Sequence, residues 1–569
     1  MISISGKIWK QEIINKNLVE KVKQDYGFGD ILSRLIISRN YDVSEIYGIN
    51  NYQKLTNIFN DDFDFVKASS ILLNSIRNNE NICILGDYDV DGACATSLLV
   101  RYFNHINQKH FFYIPDRIND GYGASKKIFQ KLILKKPKLV IMVDCGSTSN
   151  EAIDYLNKNN IKSIIIDHHE INNPYPKSDV IINPKKKLIE KEKILLCATA
   201  LTYFFIDILI KKTKSNFKLS NFLIYALLAT ICDVMPLRKI NKIISHNTID
   251  NFNLKKNLAL NFIFDQFNIK KKITVDDLGF LIGPIINSGG RLNYSKYGVE
   301  LLSSDNYKIV NDRALKLINL NNKRKKIEQN ILNEINFEKI KNENKDVIIY
   351  YKNNLNEGLI GIIASRLKEY FNKPSIVITN SNHLLKASAR STSAYNIGHL
   401  IRLLIEKKII ENGGGHNMAA GFTLKKNNIN LLDDFIQKDY LKKNSNLNNT
   451  SKYDGELSIS AINLKFMKEL NKLKPFGSFN LLPSFLIKNV KIIKTNIINE
   501  KHVSSIIKPD VGPSIKTICF NCTNNEIGKY LLTYKKKINI IAQIHENEWN
   551  NKKKIQLNIK DLILKSNNT

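Results

Sequence analysis

The sequence predicts an α/β protein of several domains: a parallel sheet wound with helices, a smaller α/β domain reached through a long helix, and a C-terminal β-barrel. Three observations predict it. Strand-like and helix-like runs alternate from about residue 62 to 250 and again from 345 to about 440. Between them lies a Lys- and Asn-rich segment with apolar residues at helical spacing, among them Leu315, Ile318, Ile327 and Ile331. From about residue 450 the pattern changes to short alternating strands between polar turns. A chain of 569 residues is too long for one core, and three or four domains of about 100 to 200 residues are expected. The expected divisions are an N-terminal extension (1–60) packed on the first domain, a parallel-sheet domain (61–260), a helical connector (261–344), a second α/β domain (345–445) and the barrel (446–569).

Taken in order, residues 1–60 are mixed and polar, with helical periodicity around Ile31–Ile37. VKASSILLNSIRN then reads as helix, NICILG as strand, ATSLLVRYFNHI as helix, KLVIMVDCG as strand, NEAIDYLNKNN as helix and IKSIIIDHH as strand. Continuous Ile/Val/Leu strands are buried on both faces, and βαβ alternation implies a parallel sheet covered by helices. After the connector come the strand DVIIYY, the helix GLIGIIASRLKEYF and the strands SIVIT and LLKASARS. The barrel strands are SFLIKNVKIIKTNII, KTICFNC, KINIIAQI and KIQLNIKDLIL.

The charge balance is lopsided, with 85 Lys and Arg against 53 Asp and Glu and a formal +32. Such a field attracts polyanions, although Lys, Asn and Ile used together in excess also reflect an AT-rich genome. No apolar run reaches the roughly 18 residues of a membrane span, and the N-terminus has no signal-peptide core, so the expectation is a soluble, cytoplasmic protein. Seven cysteines at irregular spacing argue against a disulfide framework. Cys519 and Cys522 form a CxxC with no second pair at zinc-site spacing, which reads as coincidence within a strand region.

The chemistry concentrates at strand ends. Asp87, Asp89 and Asp91 follow the strand NICILG, Asp144 ends KLVIMVDCG, and Asp167, His168 and His169 end IKSIIIDHH. Asp233 follows the apolar helix LIYALLATIC, just before Met235-Pro236 stops it. An Asp after a strand is often only a helix N-cap. Yet ligands of α/β sheets sit beyond the carboxyl ends of the strands, where several carboxylates and imidazoles delivered together suit a divalent cation. In the second α/β domain, Ser388, Arg390, Ser391 and the glycines 413–415 before His416 read either as a phosphate-binding glycine-rich turn backed by a guanidinium or as a flexible turn.

DYDVDG, VDCG, DHH and ATICDVMP together resemble the DHH phosphoesterase superfamily, and within it the RecJ family of single-strand-specific 5′→3′ exonucleases. PDRINDGYG, GPIINSGGRL, GLIGIIASRL, ASARS, GGGHNMAAG and LKPFGSFNLLP extend the likeness over roughly residues 60–490. The resemblance implies a DHH domain, a DHH-associated domain and an OB-fold in that order. It implies two Mn²⁺ or Mg²⁺ ions held by Asp89, Asp91, Asp144, His168, His169 and Asp233, with Asp87 orienting its neighbours and Asp167 tying down the loop. It further implies Arg117, Arg291, Ser388, Arg390 and His416 as the substrate contacts, the first four gripping a terminal 5′-phosphate. The implied partners are single-stranded DNA with a 5′-phosphate, a helicase and a single-strand-binding protein, around a monomeric enzyme. Leu85 and Asn356 stand where the family usually carries histidines, and ASARS replaces a more glycine-rich form; these departures bear on rate and grip. The rival readings are a DHH phosphoesterase of short oligonucleotides or cyclic dinucleotides, and a nucleic-acid-binding protein that has lost its rate.

Overall fold

The structure, a computed structural model, describes residues 3–117, 120–121, 123–186, 193–381, 384–444, 450–534, 536–549 and 552–564. Ile118, Asn119 and Tyr122 of the PDRINDGYG stretch lie outside the described residues. The chain divides into two compact units: residues 54–235 with 240–446, and residues 1–53 with 236–239 and 447–569.

The larger unit opens on a five-stranded sheet, all parallel, in the order His110–Tyr113, Ile82–Leu85, Leu139–Val143, Lys162–Ile166, Val180–Ile182. Alternation sorts the inner strands between two cores. Ile82, Ile84, Ile141, Val143, Ile164 and Ile166 join the helices Val90–His105, Ala198–Thr213 and Leu223–Cys232 on one face. Cys83, Leu85, Val140, Met142 and Ile165 join Lys126–Leu132 and Asn150–Lys158 on the other. Each fully buried Ile or Leu contributes about 1.5–3 kcal/mol, so the sheet edge where the strands end is rigid. Two of the five strands, HFFY and VII, are shorter than the runs read as strands from the sequence, and the sequence reading passed over them.

The connector is not a separate body. Ile285, Ile286, Val299, Leu302, Val310 and Leu317 lie in the first core, while Ile331 and Ile335 pack with Ile348, Ile363 and Leu367. The helix Tyr307–Glu334, 28 residues long and therefore about 42 Å, thus runs from one core to the other. The second sheet has the order Asn412–His416, Ala419–Leu424, Leu384–Arg390, Ser375–Ser381, Ile348–Tyr351, parallel only in its last pair. Here the reading of Gly413–Gly415 as a turn is corrected, because Asn412–His416 is an extended edge strand. A Cβ on Gly415 would lie 2.4 Å from Ala419 O and 2.5 Å from Ala420 Cα; only glycine lets the two strands approach so closely.

In the smaller unit the strands Ser484–Ile498, His502–Pro509, Ile515–Cys519, Lys552–Leu564 and Ile538–Trp549 pair successively, and the last returns to the first, nearly closing a barrel. Ser484–Ile498 has the predicted bounds, Ile538–Trp549 and Lys552–Leu564 are longer than predicted, and His502–Pro509 was missed because its Ser and Lys residues blur the alternation. Cys519 and Cys522 are both buried in this core. The N-terminal segment is a second correction: it packs here rather than on the first domain. Ile8–Gln11 pairs in parallel with Thr450–Tyr453, Trp9 Nε1 donates to the buried Asp561 carboxylate (2.8 Å), and Phe28, Leu32, Leu35 and Ile36 share a core with Phe485, Ile487 and Val503. A segment of about 50 residues cannot bury its own apolar stripe, and no local signal names the surface that covers it.

Asn480 organises the loop between these parts. Fully buried, it accepts from Arg39 Nη1 (2.8 Å) and Tyr41 OH (3.0 Å) and donates to Leu473 O and Pro475 O (both 2.8 Å). Asn480→Ala is expected to lower stability by about 3 kcal/mol, since it leaves buried partners unsatisfied. Chemical denaturation checks this; a loss under about 1 kcal/mol would contradict the role.

Candidate active site

The candidate ligands reach one place because the parallel ladder continues one residue past two strands. Asp144 N donates to Ile166 O (2.9 Å) and Asp167 N to Ile182 O (3.0 Å). Asp144 then turns into the left-handed region at φ 61°, a conformation found disproportionately at functional sites. Asp89 caps the helix Val90–His105, its Oδ1 accepting from Asp91 N (2.9 Å) and Gly92 N (3.1 Å). A Cβ on Gly92 would come within 2.4–2.7 Å of the Asp87 backbone, so glycine is required for the helix to start against its own loop. Asp233 caps the helix Leu223–Cys232 at its C-terminal end.

Among the described residues, three triads each bring their ligand atoms within 4.8 Å of one another: Asp87, Asp89 and Asp144; Asp144, His168 and His169; Asp91, His168 and Asp233. His168 Nε2 stands 3.4 Å from Asp144 Oδ1, 3.4 Å from Asp233 Oδ2 and 3.6 Å from Asp91 Oδ2. Asp144 and His168 each belong to two triads, so seven of the eight acid and imidazole positions named from the sequence at strand and helix ends, all but Asp167, form one connected cluster. Asp91 has a further role, since its carboxylate accepts from Ala198 N (2.8 Å), Thr199 N (2.7 Å) and Thr199 Oγ1 (2.6 Å) and so anchors the start of the helix Ala198–Thr213. Asp167 is spent on its own loop, accepting from Ser147 N, His168 N, His169 N and His169 Nδ1.

The electrostatics favour a cation. Both Asp144 oxygens, one Asp87 oxygen and both His168 ring nitrogens are buried without a hydrogen-bond partner among the described residues. Burial, then the Asp89 charge, pushes Asp87 up to about 8 and Asp91 up to about 6. Burial and the surrounding carboxylates hold Asp144 and Asp233 well above the usual carboxylate range. Burial lowers His168 to about 3. Burial also opposes charge on His169, but the hydrogen bond and charge of Asp167 outweigh it and raise His169 to about 9. Oxygen and imidazole donors left unsatisfied in this way fit Mn²⁺ or Mg²⁺.

A pH effect follows from these shifts. Groups whose folded pKa is raised, here Asp87 and His169, stabilise the fold at low pH and lose that contribution as pH rises through about 8 and 9. His168, lowered from 6.5, acts oppositely but only below its ordinary value. With chelator present, the melting temperature is therefore expected to fall between pH 7 and pH 9, and Mn²⁺ to restore more at pH 9 than at pH 7. A chelated protein at least as stable at pH 9 would contradict this.

Beside the cluster opens a cavity of about 1050 Å³ between the two sheets, lined by Tyr88, Arg117, His169, Arg291, Ser388, Arg390 and Gly413–His416. Arg390 Nη1 donates to Ser388 Oγ (3.1 Å) and Ala389 O (2.8 Å), and Arg291 Nη1 to Gly358 O (2.8 Å). The Arg117 guanidinium stacks 4.2 Å above Tyr88, and its Nε is buried without a hydrogen-bond partner among the described residues. Burial and mutual repulsion lower Arg291 to about 10, and burial and Arg117 lower Arg390. An anion would relieve this crowding of like charge. His416 is exposed, its ring 6.5 Å from that of His169 and its Nδ1 3.9 Å from Glu170, so it lines the cavity but belongs to none of the three triads.

The sequence reading missed supporting residues. Asn183 Nδ2 donates to Ser147 Oγ (2.8 Å) and His169 O (2.9 Å), bracing the histidine loop. It directly follows the strand Val180–Ile182, so the strand-end rule would have found it had that strand been read. Tyr88 carried a weaker signal, lying between two of the first three aspartates. Thr199, over 100 residues from Asp91, carried none.

Comparison with known proteins matches residues 81–231 to the DHH family N-terminal domain, 344–441 to the DHHA1 domain and 453–561 to the RecJ OB domain. The chain is 26% identical over 566 residues to the single-stranded-DNA-specific exonuclease RecJ of Bacillus subtilis (97% of this chain, 70% of that protein). It is 27% identical over 503 residues to the protein of that name from Escherichia coli (83% and 87%). Its fold is similar to the crystal structure of RecJ in complex with Mn²⁺ from Thermus thermophilus, with a TM-score of 0.82 at 19% identity, covering 98% of this chain and 80% of that one.

Proposed function

The chain belongs to the RecJ family of the DHH superfamily, and from that premise we propose that it is a metal-dependent exonuclease. It hydrolyses single-stranded DNA from a 5′-phosphorylated end, releasing mononucleotides. The observation that carries the reading is the continuity of two features: the cluster shared by Asp144 and His168, and the arginine-lined cavity that begins at His169.

Two ions, Mn²⁺ or Mg²⁺, would be held by Asp89, Asp91, Asp144, His168, His169 and Asp233; such ions neutralise phosphoryl oxygens and lower the pKa of water. The side chains position everything else. Arg117, Arg291 and Arg390 present guanidinium forks that suit the oxygens of the terminal 5′-phosphate, and Ser388 offers a hydroxyl beside them. The terminal nucleotide then spans from that cavity to the cluster, which brings the next phosphate to the carboxylates. Hydrolysis adds water across the bond between that phosphorus and the 3′-oxygen of the terminal nucleotide, which leaves as a 5′-mononucleotide. The shortened strand again bears a 5′-phosphate, so each product is the next substrate. Asp167, Ser147 and Asn183 act by keeping both histidines fixed. A helicase and a single-strand-binding protein, which generate and hold such strands, fit as partners of a monomeric enzyme.

The test is cleavage of a 5′-phosphorylated 30-mer with Mn²⁺, run beside a dinucleotide and a blunt duplex. Stepwise loss of mononucleotides from the 5′ end of the single strand is expected. Preference for the dinucleotide would transfer the chain to the short-substrate phosphoesterases, and no cleavage of any of the three would leave only a binding protein.

A further inference from the structure

Two backbone irregularities lie near Asp233, one following it in the chain and one packed on the helix that precedes it. Leu278–Ile282 is a π-helical turn, a conformation that accounts for well under about 1% of residues and recurs at functional sites. Val234, directly after Asp233, has φ 56°, which is rare for a β-branched residue. The π-turn packs on the last residues of the helix Leu223–Cys232, which Asp233 caps. A Cβ on Gly279 would lie 3.1 Å from Ile231 Cγ2, and one on Gly283 would lie 2.3 Å from Cys232 Sγ. Cys232 Sγ in turn donates to Leu278 O (3.9 Å).

Two apolar side chains stand in solvent here: Phe280, in the turn that packs on Ile231 and Cys232, is 84% exposed, and Val234, next to Asp233 in the chain, 68%. A single exposed apolar residue needs no explanation. One raised on a tightly packed π-turn, with a second at positive φ directly after Asp233, does. Lys270, Lys271 and Lys272 lead into the turn, and Lys271 reaches Asp277 (2.9 Å). Positive charge and an aromatic face together suit a single strand, whose unpaired bases stack on such rings. The position also fits: the cavity that would hold the 5′ end is bordered by His169 and Tyr88 but not by Asp233, so a strand passing the cluster continues toward Val234 and Phe280.

We infer that Phe280 is the stacking surface for the base just 3′ of the scissile phosphate, a positioning element that rests on the exonuclease reading above. A paired base is already stacked in its duplex, so this surface rewards unpaired strands.

The test compares parent, Phe280→Ala and Phe280→Trp on a 5′-phosphorylated oligothymidylate 20-mer and on versions lacking one base in turn at the first six positions. Binding in chelator, where no strand is cut, is measured by fluorescence anisotropy. Phe280→Ala is expected to raise KM and Kd about fivefold or more with kcat within about twofold, and Phe280→Trp to match the parent. Removing the base of the second nucleotide should weaken the parent to the level of Phe280→Ala and leave Phe280→Ala unchanged. Values for Phe280→Ala within twofold of the parent, or a loss equal at every missing base, overturn the inference. If the parent cuts nothing, the exonuclease reading fails, and the chelator binding series still decides the stacking.

Discussion

Asp144→Ala is expected to reduce nucleotide release at least about 1000-fold, equivalent to about 4 kcal/mol of barrier, because Asp144 is the carboxylate common to two of the three triads. Its two oxygens, buried and unpartnered among the described residues, have no structural duty to lose, so the substitution should leave the fold intact. Circular dichroism and melting of the metal-free protein would verify that, and calorimetry would read the expected loss of Mn²⁺ affinity. Asp167→Asn offers the contrast. Asp167 binds its own loop and acts on the site only through the histidines, so a loss of about 10- to 100-fold is expected there. Activity of Asp144→Ala within tenfold of the parent would sink the metal-cluster reading.

Arg390→Ala is expected to raise KM for 5′-phosphorylated strands about 10- to 100-fold, as loss of a charge-assisted hydrogen bond implies, and to leave 5′-hydroxyl strands unaffected. The variant should therefore lose the preference between the two ends while binding Mn²⁺ as the parent does. Arg390→Lys should not restore it, because a point charge cannot reproduce a planar fork that donates to Ser388 Oγ and would offer its remaining N–H groups to a phosphate oxygen. Removal of Arg390 also relieves the crowding felt by Arg291, so stability should hold or rise slightly. If Arg390→Ala still favours phosphorylated ends as strongly as the parent, the cavity does not grip the terminus.

How legible the fold and site were depended on the range of the signal. Continuous Ile/Val runs ending in Asp144 and Asp167 announced buried parallel strands, and the strand-end rule gathered ligands without any coordinate. The same rule would have reached Asn183, but the strand before it has only three residues, too few to show a period. Gly413–Gly415 was misread because glycine carries no alternation; the close approach of Ala419 and Ala420 accounts for Gly415, that of Ile401 and Phe422 for Gly413, and nothing in the structure requires glycine at 414. The N-terminal helices displayed their apolar stripe correctly, yet the barrel that covers it lies more than 400 residues away. Phe280 was invisible for a related reason: in the sequence LGFLIG nothing distinguishes a buried phenylalanine from one that a π-turn rotates into solvent.

The sequence by itself determined the kinds of atoms available and the strand ends that deliver them: acidic and imidazole groups after three apolar runs, guanidinium groups in a later domain, and a basic excess suited to a polyanion. The tertiary structure alone decided that Asp144 and His168 are the shared members, that Asp167 serves its loop, and that Asp91 also pins a helix. The physical reason is that a side chain's direction at a strand end is set by a few backbone angles and by packing from distant parts of the chain. Asp144 at φ 61° and Thr199 holding Asp91 from 108 residues away are both consequences of the folded whole, with no trace in local composition.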